Sequence, residues 1–439
     1  DAVLDTCERI AREKFAPFNR LVDTEEPRTV TDTDGSLRVV LPQATSDAQK
    51  AYAESGMLSA AQDYDMGGMQ LPYSVEAAAN AFFACASVSI GSGMLSVGNA
   101  NLLMAHGTPL QREVFAKAEF SGRWSGTMCL SEPQAGSSLS DVATRAVPDG
   151  ADFASDPLGP RYRLKGNKMW ISAGEHDLTE NIVHLVLAKI PDADGKLVPG
   201  TRGISLFIVP KYLPANDGGV GEFNNVKCGS LEHKMGIKAS ATCVMNFEAS
   251  KGFLIGPPNK GLECMFTFMN TARVGTSLQG LGTAELSYQG ALAYAKDRVS
   301  MRALSGTKAP DKVADPIICH GDVRRMLLTQ KAFAEGGRAM VYYAAKMADH
   351  MMHGETQADR DAADDQLGFM TPILKAFLTE TGMEAANLGM QVFGGHGYIK
   401  EWGMEQIARD ARISTLYEGT TGIQGLDLLG RKILLQKGK

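Results

Sequence analysis

The chain has 439 residues, with 44 Lys and Arg against 50 Asp and Glu, a net charge of −6 and 44% hydrophobic residues. That is too long for one ordinary core, and the composition is that of a globular protein, so about two or three domains are expected. The acidic balance argues against nucleic-acid or anionic-membrane partners, and no apolar run approaches the ~18 residues of a membrane span.

The opening residues Asp1-Ala2-Val3-Leu4 carry no initiator Met and no signal-peptide pattern, so a processed or trimmed start is expected. Val3, Leu4, Cys7, Ile10 and Ala11 recur at helical spacing and predict a helix from Asp1 to Pro17. A polar loop is expected from Asp23 to Ser36, then a helix from Ser46 to Met57. Asp63 to Gly68 reads as a Gly-rich loop, and Ser74 to Cys85 as an Ala-rich helix capped by Ser74. Small residues through Gly91-Ser92-Gly93 to Gly98 suit close helix packing. Residues 1–125 therefore read as a helical domain.

In residues 126–250 the period shortens. Tyr162–Ile171, Asn181–Ile190, Gly203–Pro210 and Thr242–Glu248 are short apolar or alternating runs divided by Gly, Pro, Asp and Asn, the pattern of strands and turns. They lie too close together for crossover helices, which favours an antiparallel barrel or sandwich over a doubly wound sheet. No GxGxxG joins a strand to a helix and no Walker A loop occurs, so any nucleotide cofactor is held by another device.

Residues 251–439 return to helical spacing. Leu281, Ala284, Tyr288, Ala291 and Ala295 mark one helix face, Val323, Leu327, Ala334, Val341 and Ala345 a second, and Leu374, Leu378, Ala385, Leu388 and Val392 a third. A loop from Ala303 to Pro316 interrupts them, and a four-helix bundle is the expected architecture. The seven cysteines, Cys7, Cys85, Cys129, Cys228, Cys243, Cys264 and Cys319, are scattered and show no CxxC spacing. They read as free thiols of a reducing cytoplasm, with no disulfide framework and no metal site. His350 and His353, three apart, have no Cys or second His pair near them and read as a solvated helix end.

Two late stretches carry chemistry. In Tyr417-Glu418-Gly419-Thr420-Thr421-Gly422 a carboxylate stands between an aromatic ring and a Gly-Thr turn. The turn's N–H groups and hydroxyls can hold a polar ligand, and desolvation by the ring would raise the carboxyl pKa and make it a better base near neutral pH. Gln391-Val392-Phe393-Gly394-Gly395-His396-Gly397-Tyr398 is Gly-rich and lies a short helix away.

Together with Met128-Cys129-Leu130-Ser131-Glu132-Pro133-Gln134-Ala135-Gly136-Ser137 and Lys168-Met169-Trp170-Ile171-Ser172-Ala173-Gly174, these motifs resemble, in order and separation, the acyl-CoA dehydrogenase family of flavoproteins. The resemblance spans nearly the whole chain. It implies an α+β multidomain fold of N-terminal helical domain, middle antiparallel β-barrel and C-terminal four-helix bundle. Within the family the likeness is to a larger branch, the bacterial 3-methylmercaptopropionyl-CoA dehydrogenases of dimethylsulfoniopropionate breakdown. Its marks are Ile171–Leu178, His233-Lys234-Met235-Gly236-Ile237, the loop Ala303–Pro316 and Val323–Leu327. That branch usually has more chain at both ends, so trimming at both ends is expected.

The resemblance implies α,β-dehydrogenation of an acyl-CoA thioester with FAD as cofactor. Glu418 matches the base that removes the α-proton, its own N–H serving as an oxyanion donor. Ser131 and Ser172 match positions at the reactive edge of the flavin, Met128 and Leu130 present backbone groups to its pyrimidine ring, and Trp170 covers the ring system. Ser137 matches a residue near pantetheine and the flavin phosphate, although Ser138 stands where the family usually has Asp. Arg298 matches an arginine on the FAD pyrophosphate of a neighbouring subunit. Gln391, Gly394 and Gly395 match the stretch cradling its adenosine end, with His396 as a turn residue beside it.

Thr420 and Gly422 match further FAD-contacting positions, although the family commonly has Gln where Gly422 stands. Arg273 matches a substrate-channel arginine. Asn270 stands where other members carry an Asp reaching the CoA. Tyr417 and Gly419 flank the acyl site. Expected partners are an acyl-CoA, electron-transferring flavoprotein and further copies of the chain in a homodimer or homotetramer, without nucleic acid or membrane. Three readings compete: a general short- or medium-chain acyl-CoA dehydrogenase, an acyl-CoA oxidase, and a DNA-binding flavoprotein of the same fold, which the acidic balance disfavours.

Overall fold

A change of sequence period divides the chain into helices, a barrel and helices again. The computed structural model describes residues 1–435 apart from Asp34, Ser92 and Gly93, and apart from the side chains of Phe268, Asn270 and Thr271. The chain opens with the helix Ala2–Ile10, which widens into a π turn over Ala11–Phe15. It buries Cys7, Ala11 and Phe15 at the four-residue spacing that set the expectation. Helices Gln43–Glu54, Tyr73–Ala86 and Ser96–His106 follow. The Phe83 ring meets those of Phe15 and Tyr52, with centroids 5.0 and 4.9 Å away.

Two expectations change here. The supposed polar loop is a hairpin, β1 (Arg28–Thr31) and β2 (Leu37–Val40). Thr29, Val30, Thr31, Val39 and Val40 are β-branched and suit strands, but their charged neighbours masked the alternation. Nor does Ser74 cap its helix: the N-cap is Pro72, and the Asp349 carboxylate accepts from the Tyr73 and Ser74 N–H groups at 2.5 and 3.1 Å. An acidic side chain from a distant helix thus satisfies the N-terminal donors and complements the helix dipole.

The middle region adds β3 (Trp124–Cys129), β4 (Arg145–Pro148), β5 (Arg161–Ser172), β6 (Asn181–Lys189), β7 (Ile204–Pro210), β8 (Tyr212–Pro214), β9 (Val220–Phe223), β10 (Val226–Leu231) and β11 (Thr242–Ile255). Pairings β4–β5, β5–β11, β11–β7, β7–β6 and β6–β4 close a ring, so this is a barrel and not an open sandwich. It is not wholly antiparallel, since β3 and β4 both run parallel to β6. Residues 149–180, which include β5, give the chain length to return in the same direction. β6 and β7 are buried along their whole length, and the hairpin β1–β2 extends the sheet through β10.

Three long helices follow: Gly261–Asp297, Gly321–His353 and Gln357–Phe393. The fourth place in the expected bundle is taken by the short helix Met404–Arg412, which packs on the first and third. Close approach depends on glycine. An added Cβ at Gly280 would lie 2.2 Å from the Leu378 carbonyl oxygen, and one at Gly282 would lie 2.7 Å from that of Ala84. The loop before the second long helix is organised by buried Asp315, which accepts from the N–H groups of Ala303, Lys308 and Ala309. Those bonds hold its carboxyl well below the usual range.

The three regions are locked together by Arg409. Its guanidinium holds Asp23 of the N-terminal region through two 2.7 Å bonds, and the Met235 carbonyl of the barrel at 3.0 Å. Beside it, Asp410 accepts from Ile237 N–H at 2.6 Å. The stretch His233–Ile237 is thus a docking loop: a Cβ at Gly236 would sit 2.3 Å from the Arg409 carbonyl oxygen.

Candidate active site

Glu418 lies between the turn Ile413–Thr415 and the helix Thr421–Leu426. Thr420 ends the turn by accepting from Ile423 N–H at 3.3 Å, an N-cap bond. Glu418 itself has φ +56° and Gly419 φ +88°. A non-glycine residue there costs about 1–3 kcal/mol and persists only where its surroundings over-determine it, as they do here. Gln424 Nε2 donates to the carbonyls of Glu418 (2.9 Å) and Gly419 (3.1 Å). Lys375 Nζ donates to the Gly419 carbonyl at 2.7 Å. The Tyr417 hydroxyl donates to Gln279 Oε1. The carbonyls are pinned inward, and the Glu418 Oε2 atom is left buried with no partner among the described residues. Burial raises the Glu418 carboxyl pKa, while the positive charges of Lys375 and Arg273 draw it partly back. A carboxylate so placed is a desolvated base with a free lone pair.

Beneath the turn lie two buried cations. Lys375 is fully buried on the third long helix. Burial lowers its pKa to about 8, against the opposing pull of Glu418 and Glu380. Arg273 Nη1 donates to Asp427 Oδ2 at 2.6 Å, and both side chains are buried. Arg273 is therefore committed to an internal ion pair, and its buried Nε has no partner among the described residues. Sequence reading missed Lys375 and Asp427. The one available signal was a lysine beside Leu374 on an otherwise apolar helix face.

The barrel contributes the edge formed by the end of β3. Met128 is buried, while Leu130 and Ser131 are half-buried. Behind them the buried Glu132 carboxylate accepts from Lys168 Nζ (2.8 Å), the Thr144 hydroxyl (2.6 Å) and N–H (3.1 Å), and Ala143 N–H (2.8 Å). These partners outweigh its burial and lower its pKa. Lys168 also donates to the Leu130 carbonyl at 3.1 Å, so one buried pair fixes the segment carrying Leu130 and Ser131. Trp170 has φ +59° and is 56% exposed, which removes the alternative that it is a core tryptophan. Ser172 is half-buried at the end of β5, and Ser137 is exposed. The barrel meets the bundle where Met128 and Leu130 pack with Met265, Phe266, Met269 and Ala272 of the first long helix. Arg273 is the next residue on that helix. The Asn270 side chain lies outside the described residues.

A second group of expected residues comes together elsewhere. Arg298, Phe393, Gly394, Gly395 and His396 line a groove of about 380 Å³. Arg298 is exposed at the end of the first long helix. Gln391 is in the last turn of the third, its carbonyl accepting from Gly394 N–H at 3.0 Å. Added Cβ atoms at Gly394 and Gly395 would meet nothing within 4 Å, so both face open space. His396 bonds the Tyr294 hydroxyl at 2.8 Å and stacks on Trp402. Lys375 and Gln391 are 16 residues apart on one helix, about 24 Å at 1.5 Å per residue. The chain thus presents two separated half-sites. A larger cavity of about 460 Å³ opens on the barrel beside Arg161, whose guanidinium is already shared by Asp149, Asp152 and Asp156. It holds none of the expected residues.

Helices, a closed barrel and a bundle in this order, with a lone desolvated carboxylate on the bundle's last turn, define an oxidoreductase of the acyl-CoA dehydrogenase type, and the chain belongs to that family. The family model described as "Acyl-CoA dehydrogenase, middle domain" matches residues 127–250, and "Acyl-CoA dehydrogenase, C-terminal domain" matches residues 259–434. The chain is 43% identical over its whole length to 3-methylmercaptopropionyl-CoA dehydrogenase of Ruegeria pomeroyi, of which it covers 71%. It is 36% identical, over 98% of its length and 70% of the relative's, to a broad-specificity linear acyl-CoA dehydrogenase of Mycobacterium tuberculosis. Among solved structures, an acyl-CoA dehydrogenase of Bacillus anthracis complexed with FAD superposes with TM-score 0.77 at 22% identity, covering 99% of this chain and 68% of that one. Among the described residues no helix is long and apolar enough to cross a membrane.

Proposed function

We propose that this acyl-CoA dehydrogenase uses FAD to convert 3-methylthiopropionyl-CoA to methylthioacryloyl-CoA, with Glu418 as the base. The observation that carries the mechanism is the buried, unpartnered Oε2 of Glu418 on a turn whose carbonyls are held inward. When bound, FAD supplies the hydride acceptor for the β-hydrogen. Glu418 takes the α-proton, and its N–H, which meets no acceptor among the described residues, is available to the thioester oxygen as enolate charge develops. Tyr417 and Gly419 flank the acyl group and exclude water. Arg273, held by Asp427, acts on this site as a fixed charge, and Asn270 is assigned to the CoA by its position in the chain.

The residues present fit FAD. The half-buried hydroxyls of Ser131 and Ser172 and the backbone of Met128 and Leu130 suit a flavin edge, with Trp170 over the ring and Ser137, Thr420 and Gly422 around it. An exposed guanidinium beside open glycines suits a pyrophosphate and adenosine. Because the Arg298–Gly395 groove lies at the end of the third long helix, about 24 Å along it from the Lys375 that holds the Glu418 turn, we assign it to the FAD of a second copy, which makes the active form a homodimer or homotetramer. Arg298→Ala should then weaken FAD binding roughly 10- to 100-fold, the worth of a charge-assisted bond. Full FAD content after gel filtration of that variant would contradict the assignment. Electron-transferring flavoprotein is the assigned acceptor, and the location assigned is the cytoplasm.

The thioether acyl group is the reading that the 43% identity to the Ruegeria enzyme along the whole chain supports. A straight-chain substrate is the second reading, favoured by the 36% identity to the linear acyl-CoA dehydrogenase. Anaerobic titration of the yellow protein with 3-methylthiopropionyl-CoA and straight-chain acyl-CoAs decides between them. Preferential bleaching by the thioether substrate supports the first reading, and preferential bleaching by butyryl- or hexanoyl-CoA replaces it with the second.

A further inference from the structure

We propose that Lys375 is a positioning residue for proton abstraction, holding the turn that carries Glu418 and supplying the positive charge against which its carboxylate ionises. The inference rests on Glu418 being the base.

Lys375 is fully buried between Leu374 and Leu378, themselves fully buried. An ammonium group in such a core is costly unless paired and hydrogen-bonded. Its bond goes to the carbonyl of Gly419, the residue after the base, at 2.7 Å. It does not go to the Glu418 carboxylate, whose Oε2 has no partner among the described residues. This division suits catalysis. A direct ion pair would occupy the lone pair needed for the α-proton, whereas a bond to the next carbonyl fixes the left-handed turn and leaves the charge close by.

The charged groups facing Lys375 are Glu418 from the turn, Glu380 from its own helix and Arg273 from the first long helix. Glu380 is exposed and bonded by the Thr421 hydroxyl at 2.5 Å, and Arg273, itself a cation, is ion-paired with Asp427. Glu418 is therefore the buried counter-charge of Lys375. The sign follows. A cation favours the ionised carboxylate, and among the charges acting on Glu418 that of Lys375 lowers its pKa most. Removing it lets the carboxyl pKa rise further, so less of the base is ionised at neutral pH. Burial brings the pKa of Lys375 down to about 8, so at lower pH it carries the charge that favours the ionised base, and its effect is read on the acid limb.

The test is single-turnover flavin reduction by 3-methylthiopropionyl-CoA or butyryl-CoA across pH, with FAD-loaded Lys375→Met, Lys375→Gln and Lys375→Arg proteins. The acid limb in the Met and Gln variants should move up by about one unit, with reduction at pH 7 slowed about 10-fold, while the Arg variant keeps most of the rate. Should the Met variant fail to fold, the Gln variant, which keeps a donor without the charge, decides. An unmoved acid limb in a neutral variant that retains its FAD overturns the role of Lys375, even if its thermal stability has changed. Flavin reduction surviving in Glu418→Gln would instead remove the base assignment on which the proposal stands.

Discussion

Glu418→Gln should abolish flavin bleaching by acyl-CoA while leaving FAD and thioester binding intact, a loss of at least about 10³-fold given the 10²–10⁴-fold that a positioned general base contributes. The amide is nearly isosteric, and the turn is held by backbone contacts from Gln424 and Lys375 that the substitution does not touch. Only the charge and the proton-accepting lone pair are lost. Anaerobic mixing with the thioester, read as flavin absorbance, checks this. Bleaching at the normal rate would show that the buried Oε2 is not the proton acceptor.

Asp427→Ala should destabilise the protein by roughly 3–5 kcal/mol, because it strands Arg273 as a buried charge without its partner. Both members of this pair are about 5% exposed, and the pair stands at the meeting point of the first long helix and the last turn. Asp322→Ala is the control. Its partner Arg325 is mostly exposed, and a surface pair of this kind is worth about 0–1 kcal/mol. Thermal or urea unfolding of the two variants should separate them clearly. Equal small shifts would mean that the Arg273 site relaxes by admitting water.

The chain motifs led directly to Glu418 and to the two ends of the Arg298–Gly395 groove because a turn and a glycine-edged groove are local in sequence. Lys375 and Asp427 were not legible in that way. Each is an ordinary charged residue in a helix, and its role depends on what it meets across the bundle, a contact between residues 375 and 419 or 273 and 427. The barrel strands were legible where they are long and apolar, as in β6 and β7. The hairpin Arg28–Val40 was not, since its burial alternates only weakly and it is completed by pairing with β10, nearly 200 residues later. The parallel pairing of β3 with β6 is likewise a property of long-range topology, which spacing along the chain cannot show. His233–Ile237 was visible as a motif, but its docking role becomes apparent only beside Arg409.

If the α-proton and the β-hydrogen, as hydride, both leave in the step that reduces the flavin, isotopic labelling of the thioester will show it. Flavin reduction is followed in a single anaerobic turnover with the preferred thioester, unlabelled, dideuterated at C2 and dideuterated at C3. Each label alone should slow bleaching, because both C–H bonds are broken in the reductive step. A C2-labelled thioester that bleaches the flavin as fast as the unlabelled one would contradict the account.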